Sequence, residues 1–122
     1  MGLINITLKD KYIEVESYGK KDYQHAVDKW TEIKNVCDLN NCFRVLGVSI
    51  TDDPISLNVS YEHPNIIREV GLDHNYKIAW VELNKTHFER YRFTEQTMHD
   101  QGINFIRLFE TKEEALKWLL ID

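Results

Sequence analysis

The side chains able to do chemistry are present but scattered. Glu95 and His99 stand one helical turn apart, so they could pair with each other or reach one metal ion together. Two ligands fall short of the three or four that a zinc site needs, and a surface pair on a shallowly docked helix is the plainer reading. His25, His63, His74 and His87 have no ligand spacing among them. Cys37 and Cys42 enclose four residues, not the two of redox and zinc Cys-x-x-Cys motifs. Cys37 falls on the apolar side of a helical pattern, where a thiol behaves as a small hydrophobe. There is no Gly-x-Ser-x-Gly elbow, Gly-x-Gly-x-x-Gly turn or phosphate-binding loop. No catalytic residue, metal ligand or cofactor is therefore assigned, and the expectation is a protein that binds rather than catalyses.

The balance of charge narrows what it binds. Fifteen Lys and Arg face twenty Asp and Glu, for a formal net charge of −5. Nucleic acid is bound by neutralising phosphates with cations, so it is not the expected partner. At 122 residues, 43% hydrophobic and 29% charged, the chain reads as one globular domain over residues 1–122, with enough core to need no metal or disulfide. The start shows no basic region followed by a long apolar stretch, and no apolar run exceeds four residues, as at Ile78 to Val81. Neither a signal peptide nor a membrane span is expected, and the location expected is cytoplasmic.

The elements that must position any site follow from periodicity. Ile4, Ile6 and Leu8, then Ile13 and Val15, alternate with polar residues, the mark of strands with one buried face. The short polar Lys9-Asp10 junction suits an antiparallel hairpin. From Asp22 the period becomes helical, with Tyr23, Ala26, Val27, Trp30, Ile33 and Cys37 on one face. Segments 43–50, 77–83 and 103–109 read as strands. The first two are nearly unbroken in apolar residues, as in a sheet covered on both sides. Between them come helices, the first starting at Asp53-Pro54, kinked or split by Pro64 and ended by Gly71. Thr86 with Glu89 and Thr111 with Glu114 read as capping boxes. The second of these opens a closing helix whose apolar face carries Ala115, Leu116, Leu119 and Leu120. Trp30 and Trp80 belong to the core, and Trp118 lies at a helix margin. The predicted fold class is α/β: an N-terminal β-hairpin, then successive β-α units forming a mostly parallel central sheet with helices packed on it.

Several segments carry a resemblance. The strand Lys77 to Glu82, the helix containing Phe88 to Arg92, Gly102, the strand ending Arg107-Leu108-Phe109 and the closing Glu113 to Leu119 together resemble the SpoIIAA-like proteins, whose fold is shared with STAS domains. The order of elements over residues 3–122 agrees. The resemblance implies non-enzymatic work as a protein-interaction module, in some members switched by phosphorylation at an Asp-Ser-Ser/Thr-Gly stretch. The corresponding junction here reads Thr51-Asp52-Asp53-Pro54-Ile55-Ser56. It lacks the Ser-Gly signature, so no phosphoserine switch of that kind is expected. Asp52 and Asp53 would repel an added phosphate or stand in for it permanently.

In a parallel α/β sheet, ligands sit beyond the carboxyl ends of the strands. That rule selects residues 18–21, 51–53, 84–87 and 110–111. The candidate partner- or ligand-binding residues are Thr51, Asp52, Asp53, Ser56, Asn84, Lys85, Thr86 and His87. Asp53, Thr86 and Thr111 also have ordinary helix caps to make. The favoured function is a regulatory or interaction domain that binds a protein partner or a second copy of itself as a homodimer. The alternative is a sensor or carrier of a small apolar ligand or lipid held between sheet and helices, with helix 87–101 as its lid.

Overall fold

The computed structural model describes residues 4–18, 22–50 and 55–121. Among these, five strands form one sheet in the order β1 (Ile4–Leu8), β2 (Ile13–Ser17), β3 (Arg44–Ser49), β4 (Lys77–Glu82) and β5 (Ile106–Phe109). The hairpin β1–β2 is antiparallel, closed by the Lys9 amide donating to the Tyr12 carbonyl at 2.9 Å, and every later pairing is parallel. β3 and β4 are interior, as their apolar runs require. β5 is an edge strand and has only four residues.

Four helices accompany the sheet: α1 (Tyr23–Asn40), α2 (Leu57–Val70), α3 (Lys85–Asp100) and α4 (Lys112–Leu119). Asp22 caps α1, its carboxylate accepting from the His25 amide at 2.8 Å. Tyr23 departs from the expected buried stripe. It is exposed, with its hydroxyl donating to Glu69 at 3.0 Å. The start of α2 also differs from expectation. The helix begins at Leu57 behind Ser56, whose hydroxyl accepts from the Val59 amide at 3.1 Å, while Asp53 and Pro54 lie outside the described residues. α2 then runs unbroken through Pro64, whose ring is fully buried, and stops at left-handed Gly71. The Thr86–Glu89 box does not form, because Asn84 reaches the helix start first and accepts from the Thr86 amide at 2.9 Å. Thr111 does cap α4, accepting from the Glu114 amide at 3.2 Å.

The strand order from β2 to β5 runs steadily in one direction. Right-handed crossovers then carry every connecting helix over the same face, and α1, α2 and α3 do share one core. It is built on Ile13, Val15, Val45, Ile78 and Trp80, with Ala26, Trp30, Ile33, Ile66, Ile67 and Met98 packed above. Trp80 lies across the neighbouring strand at Gly47, its partner in register, where a Cβ would overlap the indole. That is why a glycine stands in the middle of an apolar strand. Trp30 packs on Trp80 at 5.4 Å between centroids. The opposite face carries a smaller core of Leu46, Val48, Ala79, Val81, Ala115 and Leu119, covered by α4. There Trp118 packs on Phe109, with Lys77 and Arg107 over its ring at 4.7 and 5.5 Å. Among the described residues no helix is long and apolar enough to cross a membrane.

Candidate functional site

The carboxyl ends of the parallel strands bring together residues that no linear motif marks. Ser17, Ser49 and Glu82 close β2, β3 and β4, and the register sets Ser17 opposite Ser49 and Ser49 opposite Glu82. All three are buried on the three-helix side of the sheet. Tyr91 of α3 comes down on this row. Burial raises its phenol well above the ordinary value, the nearby Ser49 hydroxyl opposes the shift, and the charge of Glu82 adds to it. Glu82 also fixes the turn behind it by accepting from the Asn84 amide at 2.8 Å, and Asn84 in turn caps α3. A buried carboxylate flanked by hydroxyls thus anchors the start of α3. Hydrogen bonding is what makes such burial tolerable.

A narrow cavity of about 50 Å³ lies at the Ser17 end of the row, lined among others by Ser17, Lys29, Trp30, Ile55, Trp80 and Tyr91. That is room for a few water molecules and far below the several hundred Å³ of a typical ligand pocket. Lys29 places its ammonium over the Trp80 and Trp30 rings at 4.7 and 5.3 Å. His63, deep beside the cavity, donates from Nδ1 to the Val59 carbonyl at 3.1 Å and accepts on Nε2 from Trp30 Nε1 at 3.5 Å. This arrangement needs the neutral ring. Burial, with help from the Lys29 charge, lowers its pKa to about 4. Ser60 and Thr94 share a buried hydroxyl contact at 2.7 Å between α2 and α3. Arg90 of α3 also ties down the segment ahead of α2 by donating to the Ile55 carbonyl at 3.0 Å.

The predicted site residues divide into two groups. Thr51, Asp52 and Asp53 lie outside the described residues, as do Gly19, Lys20 and Lys21 of the first loop. Ser56, Asn84, Lys85, Thr86 and His87 sit on the rim, with Ser56 and Asn84 occupied as caps and Lys85 and Thr86 exposed in the first turn of α3. Glu95, considered as a metal ligand, accepts instead from the edge amide of Leu108 at 2.7 Å. Among the described residues no group of three His, Cys, Asp or Glu converges as a metal site.

Sequence reasoning missed two features of this rim. The first is the row Ser17–Ser49–Glu82, which register alone assembles. The only available signal was three polar residues, each at the end of an apolar strand. The second is an exposed apolar pair. Ile50 and Leu83, read as parts of buried strands, stand one residue beyond the ends of β3 and β4 and are 42% and 54% exposed. By strand alternation they continue the row of Val48 and Val81 on the one-helix side.

No family model matches the chain, and no curated protein matches it. Among solved structures the chain is similar to the anti-sigma factor antagonist SpoIIAA in its unphosphorylated form. The identity is 10% and the TM-score 0.45, over 98% of this chain and 99% of that one.

Proposed function

We propose that this chain is a regulatory protein-interaction domain without enzymatic activity, which docks a protein partner through its carboxyl-end rim. The observation that supports this reading is the exposure of Ile50 and Leu83, the apolar residues that directly follow the paired ends Ser49 and Glu82 of two interior strands. Ser56, Asn84, Lys85, Thr86 and His87 belong to the same rim, and Thr51, Asp52 and Asp53 follow Ile50 directly. An apolar centre with a polar border is the usual anatomy of a protein interface. In this reading Asp52 and Asp53 provide standing negative charge where phosphoserine would act in a switched member of the family the sequence resembles. The alternative, a pocket for an apolar ligand, draws no support from a cavity of about 50 Å³.

The test compares proteins captured from extract of the source cells by the immobilised chain and three variants. Ile50→Ser with Leu83→Ser should reduce the partner about tenfold or more, a loss of about 1.4 kcal/mol. Asp52→Asn with Asp53→Asn should weaken it further if the acidic junction takes part. Leu39→Ser removes a more exposed leucine, on α1, and should change nothing. Identical capture by all four proteins would end the proposal. Native mass spectrometry of the same samples reports whether the partner is a second copy of the chain.

A further inference from the structure

The two cysteines that looked unrelated by spacing meet at the end of α1. The Cys42 amide donates to the Cys37 carbonyl at 3.1 Å, and the Asn41 amide donates to the Asp38 carbonyl at 3.4 Å. Asn41 between them is left-handed, with φ of 50°. These bonds make a Schellman motif. Cys37 and Cys42 hold the two positions in it whose side chains normally contact each other. Both side chains enter the same core. Cys37 is fully buried on the inner face of α1, and half-buried Cys42 packs against that cluster from the start of the β3 segment. The bond from the Cys42 amide to the Cys37 carbonyl holds the two residues side by side across the turn, the close approach of backbones that a disulfide requires.

We infer that Cys37 and Cys42 are a redox-modification site, at which a low-molecular-weight disulfide such as oxidised glutathione closes an intramolecular disulfide across the C-terminal turn of α1. Cys42, the less buried of the two, acts first. Cys42 loses its proton to water, and its thiolate attacks one sulfur of glutathione disulfide, breaking that bond and releasing one glutathione thiolate. Cys37 then loses its proton and attacks the Cys42 sulfur, expelling the second glutathione. The protein gives up two protons and two electrons, and one glutathione disulfide becomes two glutathione thiols. Burial, with the nearby Cys42 and Asp38 adding to it, pushes the Cys37 thiol up to about 12. The second step is therefore the slow one, and the mixed disulfide on Cys42 is a visible intermediate.

Folding has already lost the entropy of bringing the two thiols together, so the native chain favours closure more than the unfolded chain does. The experiment equilibrates the whole protein in glutathione buffers, folded and in denaturant, then traps free thiols by alkylation and reads intact mass and peptide maps. The expected result is a Cys37–Cys42 disulfide whose ratio to the dithiol is about tenfold or more higher in the folded protein, a shift of about 30 mV. A ratio no higher than in denaturant would overturn the inference, and so would a glutathione adduct on Cys42 that never resolves. Cys42→Ser should abolish both adduct and disulfide. Cys37→Ser should trap the adduct, and if that core variant fails to fold, the wild-type ratio decides.

Discussion

The two faces of the sheet are built from alternate residues of the same strands, yet they solve different problems. On the three-helix side, Ser17, Ser49, Ser60, His63, Glu82 and Thr94 are buried among the apolar residues. Their hydrogen bonds fix how α2 and α3 sit, as with Ser60 on Thr94 and Glu82 on the Asn84 amide. On the other side the fully buried residues are all aliphatic, bordered by Tyr12, Phe109 and Trp118, and rest on one eight-residue helix in which Ala115 and Leu119 are the buried contacts. α4 is too short to cover the apolar row to its end, and Ile50 and Leu83 are what it leaves out. Polar burial specifies the larger face, whereas incomplete apolar cover makes the smaller face available for contact.

The largest test of that contrast truncates one buried residue on each side. Leu119→Ala and Ile67→Ala should each lower stability by about 2–5 kcal/mol in urea titrations, since both side chains are fully buried. Leu119→Ala should also raise amide exchange in α4 selectively while α1 to α3 stay protected. Uniform exchange would mean that the two faces unfold as one unit and that the contrast is only one of composition.

Acid should act next, through the buried histidine of the polar face. Above the ordinary histidine value of 6.5, His63 is neutral folded and unfolded, and its full contribution is present. As pH falls from 6.5 toward about 4, the unfolded ring takes a proton that the folded ring refuses, so stability declines. The decline should total about 3 kcal/mol. Chemical denaturation across that window checks it, and a His63→Gln variant should lose most of the slope. An unchanged slope would assign the acid sensitivity elsewhere.

The smallest effects concern the helix starts along the rim. Ser56→Ala, Asn84→Ala and Thr111→Ala should each cost about 1 kcal/mol in thermal unfolding, whereas Thr86→Ala should stay within about 0.5 kcal/mol. A larger loss from Thr86 than from Asn84 would restore the Thr86–Glu89 cap that the sequence suggested.

Much of the architecture was legible because it depends on local periodicity. Alternation at Ile4–Leu8 and Ile13–Val15 marked the hairpin, the stripe Ala26–Trp30–Ile33–Cys37 marked α1, and Gly71 marked the end of α2. The errors were local competitions that the pattern could not judge. Asn84 outcompeted Thr86 for a cap, Ser56 rather than Asp53 opened α2, and α2 continued across Pro64 without splitting. The rim loops were found by a general rule about parallel sheets, but part of that prediction, Thr51 to Asp53, lies outside the described residues.

Hydrophobic spacing and capping chemistry are properties of neighbouring residues, so the linear order of amino acids was enough to establish an α/β chain with a hairpin at its start. Strand register joins residues distant in the chain and turn closure sets the geometry of near ones, and the outcome of both depends on which partner packs against which. For that reason the buried row of Ser17, Ser49 and Glu82, the uncovered Ile50 and Leu83, and the meeting of Cys37 with Cys42 emerged only once the chain was folded in space.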